Sequence, residues 1–186
     1  MRFERLLRQI KKAWYTIYYG CIKKDNITFA RKLGVRVGEG CRIIPNPIKV
    51  FGTEPWLVTL GDNVEITGSV SFVNHDGAVW LIRNQNPDLR NADIFGKIVV
   101  GNNVFIGIRS IILPGVTIGN NVIIGAGSIV TNDVESNSVY AGVPARRICS
   151  VDEYILKNSS QIVLTKGMTQ KQKEKWLRMN CPQLFV

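Results

Sequence analysis

One histidine in 186 residues, four cysteines without a CxxC pair, and the want of any long apolar run are the first constraints in this sequence. A lone His75 cannot complete a His-based zinc site, and Cys21, Cys41, Cys149 and Cys181 lack metal-ligand spacing, so no metal is expected. The cysteines read as reduced thiols of a cytoplasmic protein. No apolar stretch approaches the roughly 18 residues that a membrane-spanning helix needs. The basic start runs into a mostly apolar stretch, residues 13–22, but Lys23 and Lys24 close it and no small-residue cleavage site follows, so no signal peptide is expected. At 45% hydrophobic and 20% charged, with 17 Gly and 7 Pro, the composition excludes disordered and collagen-like chains. One domain with terminal additions fits the length.

Acidic residues are scarce only at the start. Residues 1–49 hold 12 Lys/Arg against 3 acids, whereas residues 50–150 hold 6 against 8 and residues 151–186 hold 6 against 3. The net charge of +10 therefore belongs mainly to the N-terminal segment, and a nucleic-acid partner for the whole domain is not expected.

What the sequence does have is a six-residue repeat. From Val100 the hexads read VGNNVF, IGIRSI, ILPGVT, IGNNVI, IGAGSI and VTNDVE, with Val or Ile at position one and Val or Ser at position five. A matching LGDNVE begins at Leu60 and continues as ITGSVS and FVNHDG; a fainter start is VGEGCR at Val37. Six is not a helical period, because residues six apart on an α-helix are rotated by about 240° net and scatter over several faces. Alternation places positions one, three and five on one side of a short strand, and Gly or Asn at positions two to four permits the positive φ of a tight corner. Three such sides close a triangular coil of about 18 residues with stacked aliphatics inside. The expected fold is an all-β parallel β-helix over residues 35–149.

This hexad resembles that of the bacterial hexapeptide-repeat acyltransferases, and the resemblance implies left-handed coils, against the usual crossover preference. Residues 78–96 interrupt the repeat and are expected to leave the coil stack as an excursion loop. At the N-terminus, Phe3, Leu6, Leu7, Ile10, Trp14 and Ile17 form a helical stripe opposed by Arg5, Arg8, Lys11 and Lys12. Three roles fit this helix within residues 1–34: a cap on the open first coil, a membrane-surface element at the inner face of the membrane, or a contact for an anionic partner; the cap is favoured. Residues 150–186 are expected to form a helical extension, with helices at 151–158 and 169–180 and Thr169 as N-cap of the second.

His75 stands in FVNHDG, directly before the excursion. A neutral imidazole can accept a proton near physiological pH, since an unperturbed histidine titrates near 6.5. By itself such a residue can equally be a corner residue bonding a local carbonyl. In the hexapeptide-repeat family, including galactoside, maltose and xenobiotic acetyltransferases, a histidine just ahead of an excursion loop is the general base, and the resemblance gives His75 that role. Its orienting partner is Asp76, Glu54 or a backbone carbonyl. The segment FGTEPWLV from Phe51 is similar to the FGSEP-type segment of capsule and lipopolysaccharide O-acetyltransferases, which makes Glu54, Trp56 and Asp76 acceptor-side candidates. The competing reading is that Pro55 turns the chain and Trp56 fills the core.

The end of the repeat, SNSVYAGVPARRI from Ser136, resembles the family's AGxPA signature. The resemblance implies acetyl-CoA as acyl donor, with matching positions Ile108, Ala126, Thr131, Asn132 and Arg146, and Arg147 in addition. Ile108 departs from the small residue usual at its position. Small residues let a pantetheine arm lie along the coil, and arginines meet its phosphates. The implied enzyme is a homotrimeric acetyltransferase acting on a sugar hydroxyl of a surface polysaccharide or its precursor. N-acylation of an amino sugar, acetylation of a xenobiotic, and a non-catalytic assembly scaffold are the alternatives. The γ-class carbonic anhydrases share the implied coil but need three histidines.

Overall fold

The computed structural model describes residues 2–23 and 25–185; Met1, Lys24, Val186 and the side chains of Arg2, Phe3, Glu4, Arg5, Arg8, Lys12 and Cys21 lie outside the described residues. Two compact units result, Met1–Tyr154 and Ile155–Val186.

In the first unit the hexads become thirteen short strands in three sheets. Sheet 1 stacks β1 (Arg36–Val37), β3 (Val58–Leu60), β6 (Ile98–Val100) and β9 (Thr117–Ile118). Sheet 2 stacks β2 (Arg42–Ile43), β4 (Glu65–Ile66), β7 (Val104–Ile106), β10 (Val122–Ile124) and β12 (Ser138–Gly142), and ends on β13 (Ala145–Ser150). Sheet 3 stacks β5 (Ser71–Phe72), β8 (Ile111–Ile112) and β11 (Ile129–Val130). All pairings are parallel except β12 with β13, where the chain reverses through 142–145. Equivalent positions stack in register, Leu60 on Val100 and Val100 on Ile118, as a repeating coil requires.

The interior column is the position-one series: Val100, Ile106, Ile112, Ile118, Ile124 and Val130 are all buried. Position five supplies the rest of the core with Val104, Ser110, Val116, Val122, Ser128 and Val134. Position three does not point inward as alternation predicted: Asn102, Ile108, Asn120, Ala126 and Asn132 are exposed. The strands are too short for alternation to run through the hexad, because the corner falls at positions three and four. Position four takes the left-handed conformation at Asn63, Ser69, Asn103, Arg109, Gly115, Asn121 and Gly127. Glycine at position two meets a different demand: a Cβ on Gly107 would lie 2.5 Å from the Ala126 nitrogen of the coil above.

The first coil is closed by helix. In the N-terminal segment α1 (Arg2–Tyr15) continues as a π-helical stretch, Thr16–Ile22, followed by α2 (Asn26–Leu33). Asp25 caps α2 by accepting from the Thr28 N–H at 2.9 Å, and Gly34 ends it in the left-handed region. Phe29 and Ala30 of α2 are fully buried, while Leu6, Leu7, Ile10, Trp14 and Ile17 stay exposed. Within residues 1–34, the side chains that meet the coil core are Ala30 and Ile27 of α2, not the apolar stripe of the basic amphipathic helix. A short α3 (Pro47–Phe51) stands where the first coil would have a third strand, and Phe51 packs on Phe72 with ring centroids 5.3 Å apart.

The excursion carries α4 (Val79–Gln85) and a 3₁₀ turn, Pro87–Leu89. Its two feet are joined by an antiparallel bridge between His75 and Phe95, with Asp76 N–H donating to Ile94 O and Gly96 N–H to Asn74 O, both at 2.9 Å. After β13, α5 (Val151–Asn158) leads into the second unit, whose α6 (Gln170–Asn180) starts at a capping box formed by Thr169 and Gln172.

Candidate active site

His75 sits at the corner that follows sheet 3, where the coil opens into the excursion. Its Nδ1 lies 2.8 Å from Glu54 Oε2. Glu54 arrives from the other side, on the 51–58 segment between α3 and β3, and its Oε2 also accepts from Thr53 Oγ1 at 2.6 Å. Burial opposes ionisation of Glu54, but the hydrogen bonds from Thr53 and His75 outweigh it and hold the carboxyl below its ordinary range. An ionised carboxylate can only accept, so Nδ1 carries a proton, and in the neutral ring Nε2 presents a lone pair. The His75 side chain is 46% exposed and that of Glu54 17%, so the ring is open to a reactant while its anchor is enclosed. Gly52, Thr53, Glu54, Phe72, Val73, Asn74 and His75 line a cavity of about 220 Å³.

Among the three orienting partners left open by the sequence, the structure selects Glu54. Asp76 turns away: its Oδ1 accepts from the Ala78 N–H at 2.8 Å and ties the start of the excursion. Trp56 does not fill the core, being 54% exposed beside buried Pro55. It joins Lys11, Tyr15, Lys32, Leu33, Thr53 and Pro55 around a neighbouring cavity of about 240 Å³.

Sequence reasoning missed Asn74. It holds position three of FVNHDG, exposed in the regular hexads, yet is 2% exposed because the excursion feet fold over it. Neither its Nδ2 nor its Oδ1 has a hydrogen-bond partner among the described residues. A buried amide without a partner costs about 1–3 kcal/mol, which is unusual outside functional sites.

The donor-side candidates fall into two columns. Ile108 and Ala126 occupy position three on successive coils at the corner between sheets 2 and 3, with Gly68 beneath; a Cβ on Gly68 would touch Ile108 Cδ1 at 3.4 Å. On the coil above, Ala141 stacks over Gly125, next to Ala126, and pairs with Arg146 across β12 and β13. Thr131 and Asn132 lie at the opposite edge of sheet 3, on the same corner as His75. Among the described residues Arg146 donates to its neighbour Ala145 O at 3.0 Å, whereas Arg147 Nε is paired with Glu135 at 3.0 Å. Arg146 thus pairs at the end of β12 nearest the Ile108–Ala126 corner, and Arg147 is held by Glu135.

Cys41, Cys149 and Cys181 are free thiols. Among the described residues, no group of three or more His, Cys, Asp or Glu is placed to hold a metal ion, and no helix is long and apolar enough to cross a membrane.

A stacked-hexad core with a carboxylate-anchored histidine at the foot of an excursion defines a class, and the chain belongs to the bacterial hexapeptide-repeat transferase family. The family model described as bacterial transferase hexapeptide (six repeats) matches residues 97–132. Among individual proteins, Protein CapG of Staphylococcus aureus is 46% identical over 168 residues, 90% of this chain and 94% of CapG. Galactoside O-acetyltransferase of Escherichia coli (strain K12) is 42% identical over 100 residues, 54% of this chain and 47% of that protein. Among solved structures, a hexapeptide-repeat containing acetyltransferase of Vibrio cholerae superposes with a TM-score of 0.63 at 24% identity, over 81% of this chain and 93% of its own. The same protein complexed with acetyl coenzyme A gives a TM-score of 0.59 at 22% identity, over 81% and 90% of the two chains. The repeat and these neighbours imply a left-handed β-helix.

Proposed function

We propose that the chain is an acetyltransferase that moves the acetyl group of acetyl-CoA to a hydroxyl of a sugar, in a surface polysaccharide or its precursor, with His75 as general base. The observation that carries this reading is the Glu54–His75 pair, which leaves Nε2 of an exposed ring as the proton acceptor. As the acceptor oxygen attacks the thioester carbonyl, Nε2 takes its proton. The new C–O bond forms, the C–S bond breaks, and the CoA thiolate leaves to be protonated from the imidazolium. Glu54 fixes the tautomer and stabilises the transient charge on the ring. Asn74 Nδ2, buried in the same cavity and unclaimed by the described residues, is available as a donor to a polar group of the reactants. The acetyl-CoA complex of the Vibrio cholerae neighbour supports the donor, and the name of the galactoside O-acetyltransferase relative supports a sugar hydroxyl.

The same reading favours a homotrimer. Within one chain His75 lies at one edge of sheet 3, and Ile108, Ala126 and Arg146 gather at the other. A donor held along the Ile108–Ala126 column meets the histidine of a neighbouring copy when the coils stand around a threefold axis. The excursion leaves Trp80, Leu81 and Phe95 more than half exposed in a single chain, as expected of side chains that a neighbour covers.

The test is release of free CoA at saturating acetyl-CoA across a panel of sugars, amino sugars and small xenobiotics. Turnover with a hydroxyl acceptor is expected. Turnover confined to amine acceptors, or no acetyl-CoA binding at all, would overturn it.

A further inference from the structure

We infer that α1 is a docking element for an anionic lipid surface. Its exposed apolar stripe does not pack on the coil, whose core is met instead by Ala30 and Ile27 of α2. Leu6, Leu7, Ile10, Trp14 and Ile17 remain at least half exposed, a continuous apolar face of the kind that soluble chains do not leave bare. The sequence of α1 carries five basic residues and one acidic one. Mixed basic and apolar composition on one helix suits binding in the plane of a membrane, with the apolar face among the acyl chains and the cations at the headgroups.

The end of the stripe is aromatic. Trp14 stacks on Tyr18 with ring centroids 4.9 Å apart, Tyr15 and Tyr19 pack around them, and Lys11 and Lys23 stand over the Tyr15 and Tyr18 rings at 5.8 and 5.5 Å. Tryptophan and tyrosine beside lysine are the side chains preferred at the headgroup level. The charge decides between occupants: a second copy laid on this face would set two basic helices against each other, whereas anionic lipid neutralises one. The cavity lined by Lys11, Tyr15, Lys32, Thr53 and Trp56 lies between α1 and the segment that bears Glu54, so docking brings the lipid surface to the side from which that segment is reached.

The test is flotation of the full chain with vesicles of phosphatidylcholine alone and of phosphatidylcholine with phosphatidylglycerol, with light-scattering mass measured in parallel. Strong binding to the anionic vesicles only, weakened by salt, is expected. In Ile10→Glu with Ile17→Glu, binding should fall at least about tenfold, as expected for charges introduced on the apolar face, with mass and melting temperature unchanged. No flotation with either vesicle, or flotation unaffected by the substitutions, overturns the inference. So does loss of assembly in the variant, since the stripe would then be a contact between copies.

Discussion

Glu54 and His75 are 21 positions apart in sequence and 2.8 Å apart in space, and the chemistry depends on that separation being closed. Glu54→Gln keeps the shape but replaces an obligate acceptor with a group that can present either an oxygen or an amide, so the tautomer at Nε2 is no longer fixed. A fall in kcat/KM of about 10- to 100-fold is expected, with the KM for acetyl-CoA unchanged. The lowered Glu54 pKa has a definite sign. A carboxyl titrating lower in the folded chain than in the unfolded one adds stability above its unfolded value, and that stability is lost as pH falls through the folded value. Chemical denaturation of wild type and Glu54→Gln should therefore converge in acid and diverge toward neutral pH. Parallel curves would remove the carboxylate's contribution. On the donor side Arg146→Ala should raise the acetyl-CoA KM more than Arg147→Ala, because Glu135 already holds Arg147. Equal effects would mean that the ion pair opens to the donor. His75 stood out as a candidate from its place before the excursion and from resemblance. Its partner did not, because Glu54 lies in a segment outside the repeat frame, and contact across such a break leaves no periodic signal.

At the scale of elements, the hexads gave away their own structure. Position one was readable because a column of Val and Ile at a fixed period can only be buried together, while position three was misread because alternation assumes strands longer than two or three residues. At the N-terminus the stripe of α1 suggested the cap, whereas the residues on the coil core belong to α2. Amphipathicity marks α1 as the stronger surface helix, yet the chain buries α2, whose two fully enclosed residues make no periodic stripe. Phe29→Ala should thus cost about 3–5 kcal/mol, as for a fully buried aromatic, measured by denaturant unfolding. Removing residues 2–15 should cost far less. The reverse order would restore the capping role to α1. Gly107→Ala tests the spacing of the coils, since a Cβ 2.5 Å from a backbone nitrogen forces the stack apart and should destabilise by about 1–3 kcal/mol, as overpacking does.

For the whole molecule, the two corner columns lie on opposite edges of sheet 3, and under the proposed function a single chain would be an incomplete enzyme. Sheet 3 separates His75 from Ile108 and Ala126, and the homotrimer we propose would set the histidine edge of one copy against the donor column of the next. The sequence carried the repeat but not this division, which depends on which sheet edge each corner occupies. The measurement that bears on it most directly is complementation between two inactive variants, His75→Ala, which lacks the base, and Ala126→Trp, which fills the exposed donor column. Each alone should lose about two to four orders of magnitude in kcat/KM, the range a general base supplies and a blocked donor site matches. Coassembled in equal amounts, they should recover about a quarter of wild-type activity, because random mixing leaves a quarter of shared sites with both residues intact. Mixed trimers no more active than either parent would contradict a site shared between copies, and a His75→Ala chain that is folded, CoA-loaded and still active would contradict the general base itself.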